Sequence, residues 1–292
     1  MALGIACLVY VAHRFASSMS WQIVVANNHD GRLIARVSLS IAIYAAGVLA
    51  LALAWICLVR AFAAPMANSV IVSTYLVTQF GKYIPGNVAQ YIGRHALLRR
   101  VGIDHAVLVA CSLLEMVSLG VAASLFAGRL ALHLPWPKLP PLAVAVGLVI
   151  IAAFFLAAFL LRSRWSWIAR RMVAPQPPWL LAALVVHIIF FALMGATLLT
   201  VAVALVPPGS DISLSLLTAV AAASWMAGYV VPGAPAGLGV REAVMIGLLS
   251  IWQPGLDGPL VAASFRVATF GGDAVTFMLA LGWRWLKERR AV

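Results

Sequence analysis

Lys82, Arg94, Glu115, Arg241, Glu242, Arg266 and Asp273 stand inside or beside long apolar runs. An ionised side chain near the centre of a bilayer costs roughly 2.5–3.5 kcal/mol on insertion scales, so few are kept there without a use or a partner. The mix suits anion recognition. A guanidinium binds phosphate through a bidentate fork, and an ammonium adds a point charge. Tyr83, Asn87, Gln90 and Tyr91 have the donors and acceptors to bind headgroup hydroxyls, or to satisfy a broken backbone. The bland alternative is that the Arg side chains snorkel to an interface or pair with Glu115, Glu242 or Asp273. Glu115 and Arg266 are opposite in charge and similarly placed after Arg94 and Arg241, so a Glu115–Arg266 pair is expected. Asp273, beyond Gly271-Gly272, fits either helix packing or proton coupling.

These residues gather around two breaks. The first reads Gly81-Lys82-Tyr83-Ile84-Pro85-Gly86-Asn87-Val88-Ala89-Gln90-Tyr91-Ile92-Gly93-Arg94. Pro-Gly stops a helix and turns the chain. The second begins at Gly228 and continues through Pro232-Gly233 and Pro235-Ala236-Gly237-Leu238-Gly239 to Arg241. Gly81, Pro85, Gly86 and Arg94 match Gly228, Pro232, Gly233 and Arg241 at one offset (228 − 81 and 241 − 94 both give 147). Gly237 and Gly239 extend the second break. Irregular backbone at membrane depth is tolerated only inside protein or along a wet cavity. Half-helix N-termini at the breaks would add backbone N–H donors to the same anion.

Composition decides the class. The chain is 64% hydrophobic and 10% charged, with mean hydropathy +1.04, where soluble domains carry roughly 25% charged residues. It is expected to be an all-α polytopic membrane protein, a single transmembrane domain over 1–292. The net charge of +12 sits at the ends of apolar runs, as the positive-inside rule places it. It points to anionic lipid headgroups and not to nucleic acid. Cys7, Cys57 and Cys111 lie far apart, and there is no HExxH, CxxC or Ser-His-Asp pattern, so no catalytic, metal or cofactor site is expected. The apolar N-terminus lacks a basic region, which disfavours a cleavable signal peptide.

Apolar runs predict spans at 2–16 (short), 37–62, 104–127, 142–161, 179–206 and 260–283. Residues 17–36 read as an interfacial segment and loop, and 135–141 as a Pro-rich loop. Residues 162–171 interleave Arg and Trp, as in a surface helix or an anchored loop. Segments 67–84 and 87–100 flank the first break; 212–231 and 236–252 flank the second. The 162–171 cluster and the basic C-terminal tail should face the cytoplasm, and the turns at 207–211 and 254–258 the outside. The first hairpin then starts and ends inside, and the second starts and ends outside. Arg32, Arg36, Arg129, His133 and Lys138 fall outside against the rule. Two halves, 1–135 and 136–292, follow one plan in opposite orientations: about six full spans plus two re-entrant hairpins. Secondary transporters build midplane substrate sites from such inverted repeats.

The stretch 81–94 resembles the first signature of the lysylphosphatidylglycerol synthase transmembrane-region family. Residues 235–242 resemble its second, usually Pro-Gly-Gly-Leu-Gly-Val-Arg-Glu. Glu115 and Arg266 fall where members have a Glu and an Arg in the helices that follow. The resemblance covers nearly the whole chain. It implies the flippase part of enzymes that make and move aminoacylated phosphatidylglycerol, and standalone members are often taken to be transporters of lipids or lipid-linked sugars. Ala89 replaces a common aromatic, which suggests a different headgroup. Without a soluble aminoacyl-transfer domain, lysyl transfer by this chain is not expected. The resulting expectation is a non-enzymatic translocase in a bacterial inner membrane with both termini cytoplasmic. It would move an anionic phospholipid, an aminoacyl phospholipid or a polyprenyl-phosphate glycolipid, with homo-oligomerisation open. The rival readings are an integral-membrane enzyme modifying a lipid headgroup, and a non-catalytic partner of a lipid-modifying or glycosyl-transferring enzyme.

Overall fold

The computed structural model describes residues 32–62, 66–84, 88–133, 175–206, 211–231 and 235–290. Their regular structure is helical, without a strand among the described residues: α1 (Arg32–Ala61), α2 (Asn68–Gln79), α3 (Ala89–Arg100), α4 (His105–His133), α5 (Pro177–Ala204), α6 (Leu214–Val230), α7 (Val240–Trp252) and α8 (Gly258–Arg290). Short 3-10 turns at Phe80–Tyr83 and Pro235–Gly237 follow α2 and precede α7. Stretches within α1, α4 and α5 are long and apolar enough to cross a membrane. The chain is a helical membrane protein on that ground. The expected spans at 2–16 and 142–161, the Pro-rich 135–141 loop and the 162–171 segment lie outside the described residues, as do Pro85, Gly86, Asn87, Pro232 and Gly233.

Two boundaries differ from the sequence reading. The expected loop through residue 36 is helical from Arg32 onward. Leu33-Ile34-Ala35-Arg36-Val37 contains no Gly or Pro, so nothing stops the helix before its charged first turn. The helix α4 runs on to His133, beyond the expected 127, because Gly128 and Arg129 interrupt the apolar run without breaking the backbone.

Helix α1 packs most extensively on α5, and then on α8 and α2. Its buried face repeats at helical spacing: Tyr44, Val48, Leu51, Trp55, Leu58. Phe190, Phe191, Met194, Leu198 and Val201 of α5 meet it in the same core. Lipid is as apolar as these side chains, so close packing holds the bundle where burial alone cannot. Gly195 shows how close: a Cβ there would stand 1.9 Å from Thr218 Oγ1 on α6.

The short helices pair. Helix α2 packs on α3, and α6 on α7. At 1.5 Å per residue, the 12-residue α2 and α3 reach only about 18 Å each, well short of a hydrocarbon core of about 30 Å. The start of α2, the end of α3 and the end of α8 line one cleft. Arg60 at the end of α1 donates from Nη2 to Asn68 Oδ1 at 3.1 Å and lies over the Trp179 ring of α5. That end of the bundle therefore gathers Arg60, Arg100, Arg284 and Lys287.

Candidate functional site: a cationic cavity between the two breaks

A cavity lies where the two helix pairs meet. Tyr44 and Leu51 line it from α1, Tyr75 and Gln79 from α2, and Lys82 from the first 3-10 turn. Gln90, Tyr91 and Arg94 come from α3, Glu115 from α4, Trp225 and Tyr229 from α6, and Arg241 from α7. A water-sized sphere's centre can reach about 40 Å³ of it. That is room for a few waters and not for a lipid headgroup. A second cavity continues past Tyr44, Trp225 and Arg241 to Glu242, Arg266 and Thr269. Arg94 and Arg241 thus share one cavity, and Arg241 and Arg266 share the next.

Three ion pairs, one fully buried and two partly buried, hold the surroundings. Arg94 Nη1 donates to Glu115 Oε2 at 2.7 Å, with exposures of 1% and 2%. Its guanidinium is 3.9 Å from the Tyr75 ring centroid and 4.3 Å from that of Trp55. Tyr75 Oη donates to Glu115 Oε1 at 2.7 Å, and Gln79 Oε1 accepts from Arg94 Nη2 at 3.5 Å. Lys82 Nζ reaches both oxygens of Asp273, at 2.8 and 2.7 Å, and Tyr83 Oη donates to the same carboxylate at 2.6 Å. This pair joins the first break to α8. Arg266 Nε lies 3.5 Å from Glu242 Oε1, and Arg266 Nη1 donates to the Ala236 carbonyl at 3.4 Å.

The expected Glu115–Arg266 pair does not form; each partner takes the opposite charge nearer its own chain position. Glu115 projects from α4, which packs on α3, and meets Arg94. Arg266 projects from α8, which packs on α7, and meets Glu242. Glu242 also caps its own helix, accepting the Gly239 N–H at Oε2 over 2.7 Å.

Four cations and three carboxylates leave one charge over. No carboxylate pairs with Arg241 among the described residues, and its buried Nε has no hydrogen-bond partner there. The Trp225 ring centroid lies 5.6 Å from its guanidinium carbon. Trp225 stacks on Tyr229 at 4.7 Å and 13°, and Tyr229 Oη lies 3.0 Å from Tyr91 Oη of α3. Gln90 lines the cavity and is 8% exposed.

Two of the glycines beside the breaks also meet another part of the chain. Gly81 sits inside the 3-10 turn that follows α2, and α6 runs through Gly228 to Val230. Each permits a close approach. A Cβ on Gly81 would stand 2.8 Å from the Gln90 backbone nitrogen, and one on Gly228 would stand 2.3 Å from Arg241 Cγ. The turn into α7 uses positive φ: Ala236 at 50°, Gly237 at 70° and Gly239 at 82°. A Cβ on Gly237 would also press on Arg241, 2.6 Å from its Nε. Arg241 is therefore clamped between two glycine surfaces.

Sequence reasoning missed Tyr44, Tyr75, Gln79, Trp225 and Tyr229. In apolar runs such aromatics look like core or interface residues. Helical spacing was the available signal: Tyr75 and Gln79 are four apart, as are Trp225 and Tyr229, so each pair shares a face that leads to a break. No group of three or more metal-ligating side chains is found among the described residues. The chain matches no protein-family model, and no curated protein shows significant similarity to it.

Proposed function

We propose that the protein translocates an anionic lipid, or a lipid-linked headgroup, across the membrane, with the phosphate held at Arg241 between two re-entrant hairpins. The observation that carries this reading is the odd cation. A guanidinium kept at membrane depth without a carboxylate is costly, and an anion that comes and goes accounts for its being left unpaired. Arg94, fixed by Glu115 and two aromatic rings, contributes positive field and shape more than a free fork. Lys82 borders the cavity that Arg241 shares with Arg94, and Arg266 borders the adjoining one. Gln90 and Tyr91 suit the headgroup's hydroxyls.

The hairpin reading is supported by length and by placement. Helix pairs α2–α3 and α6–α7 are built from short helices, and α2 starts where α3 ends, at the end rich in Arg and Lys. Helix α6 follows the far end of α5, so its pair belongs to the opposite end. The two pairs then read as inverted counterparts, each dipping to the midplane. Each half has a Glu–Arg pair joining the arm after its break to the next long helix, with the charges exchanged. This arrangement agrees with the signatures that resemble the lysylphosphatidylglycerol synthase transmembrane-region family. The cavity is too small for a headgroup in the conformation described, which corresponds to a closed state. Breaking Lys82–Asp273, Tyr83–Asp273 and Tyr91–Tyr229, contacts between the halves beside the cavity, would open it.

Proteoliposomes carrying labelled phosphatidylglycerol, aminoacyl phosphatidylglycerol or polyprenyl-phosphate sugars test the proposal. At least one anionic lipid should change leaflet faster than in empty liposomes, while phosphatidylcholine should not. Equal rates with and without protein for every lipid of the panel would contradict it.

A further inference from the structure

A second cleft opens at the basic end of the bundle, away from the ion pairs of the central cavity. Ser69, Ser73 and Thr74 of α2 line it, with Arg100 and Val101 at the end of α3 and Trp283, Arg284 and Lys287 of α8. A water-sized sphere's centre reaches about 360 Å³ there, against about 40 Å³ between the hairpins. The space admits a phosphate and a small substituent.

Its cations have neutral partners. Arg284 Nη2 donates to Thr74 Oγ1 at 3.1 Å, and Lys287 Nζ donates to Ser69 Oγ at 2.9 Å. Arg100 is exposed and makes no hydrogen bond among the described residues, and none of the three cations pairs with a carboxylate there. A hydroxyl that accepts from a cation still has its proton to give to an anion. Helix α2 begins at this cleft without a side-chain cap, so its first N–H groups add to the positive potential. Val101 and Trp283 are exposed at 44% and 52%, which gives the cleft an apolar flank suited to acyl chain.

We propose that this cleft is a binding site for the phosphate headgroup of an anionic phospholipid, distinct from the inter-hairpin cavity. The phosphate sits among Arg100, Arg284 and Lys287, its remaining oxygens take protons from Ser69 and Thr74, and its acyl chains lie along Val101 and Trp283. Basic pockets between transmembrane helices at a cytoplasmic face bind anionic headgroups in this way. The proposal needs no translocation.

The purified full chain, titrated with phosphatidylglycerol and with phosphatidylcholine of equal chain length, tests it by native mass spectrometry. The titration is repeated in an Arg241→Gln background, which removes the cation proposed to hold the phosphate in the central cavity. Phosphatidylglycerol should bind in both backgrounds and phosphatidylcholine should not. The double variant Arg284→Gln/Lys287→Gln should bind about thirtyfold more weakly, from losing two charges near the lipid. Arg100→Gln, at an exposed position that makes no hydrogen bond among the described residues, should weaken binding in the same direction even where the double variant folds poorly. Unchanged affinity in these variants overturns the proposal, as does equal binding of phosphatidylcholine. Competition by inorganic phosphate at the lipid's own concentration overturns the lipid assignment in favour of a soluble phosphate ligand.

Discussion

Arg94 and Arg241 sit in matching places of the two breaks and have opposite circumstances. Arg94 is held by Glu115, Gln79, Tyr75 and Trp55. Removing one member of a buried pair leaves an uncompensated charge and costs about 3–5 kcal/mol. Glu115→Gln should therefore lower the unfolding temperature of the detergent-solubilised protein sharply. Glu115→Gln combined with Arg94→Met should regain much of the loss. A Glu115→Gln protein as stable as the parent would mean that the pair is not what fixes α3 to α4. Ala236 offers a second test at this scale. Its φ of 50° is strained for a residue with a Cβ, by roughly 1–2 kcal/mol. Ala236→Gly removes that strain but loosens the unfolded chain by about 0.4–1 kcal/mol. It should be neutral or slightly stabilising in thermal unfolding, whereas Ala236→Val should be clearly destabilising.

At the scale of elements, helix positions were legible because apolar runs and Pro-Gly breaks are local signals. The pairing of charges was not, because it depends on which helix packs beside which. Glu115 and Arg266 looked like partners by position along the chain, but each faces its own neighbouring arm. The roles of Gly81 and Gly228 were equally hidden. A glycine in a sequence announces a bend and a close approach in the same letter, and only the packed structure tells them apart. Gly228→Ala and Gly237→Ala should both displace the Arg241 side chain, since their new Cβ atoms fall 2.3 and 2.6 Å from it. Both should cut translocation with little change in far-ultraviolet circular dichroism. Full translocation by Gly228→Ala would show that the Arg241 clamp is dispensable.

At the scale of the molecule, cations stand at both ends of the bundle, with Arg36 and Arg129 at the end opposite Arg60 and Arg100. Arg60, Arg100, Arg284 and Lys287 gather at one end, while Asp257 caps the start of α8 at the other by accepting the Leu260 N–H. On the proposed orientation, with the end that holds Arg60, Arg100, Arg284 and Lys287 inside, Ser69 and Lys287 would face the cytoplasm and Asp211 and Asp257 the outside. Single cysteines at these positions, in a background lacking Cys7, Cys57 and Cys111, should react with an impermeant maleimide accordingly. Ser69→Cys and Lys287→Cys should label only after the cells are opened, and Asp211→Cys and Asp257→Cys should label in intact cells. All four labelling alike would contradict the orientation and with it the inverted arrangement of the hairpins. Composition and basic ends were enough to suggest this plan. The cavity was not legible, because five of its lining residues, among them Tyr44 and Trp225, lie in ordinary-looking apolar spans.

The central claim is that Arg241 is the cation that receives the lipid's phosphate, and it is tested most directly by the translocation rate of Arg241→Gln. The measurement is made in proteoliposomes with the anionic lipid that the parent protein moves, at matched protein insertion. Losing a charge-assisted hydrogen bond of about 1.5–3 kcal/mol corresponds to a drop of roughly ten- to a hundredfold. The account predicts a loss of that size. A rate for Arg241→Gln equal to that of the parent would contradict it.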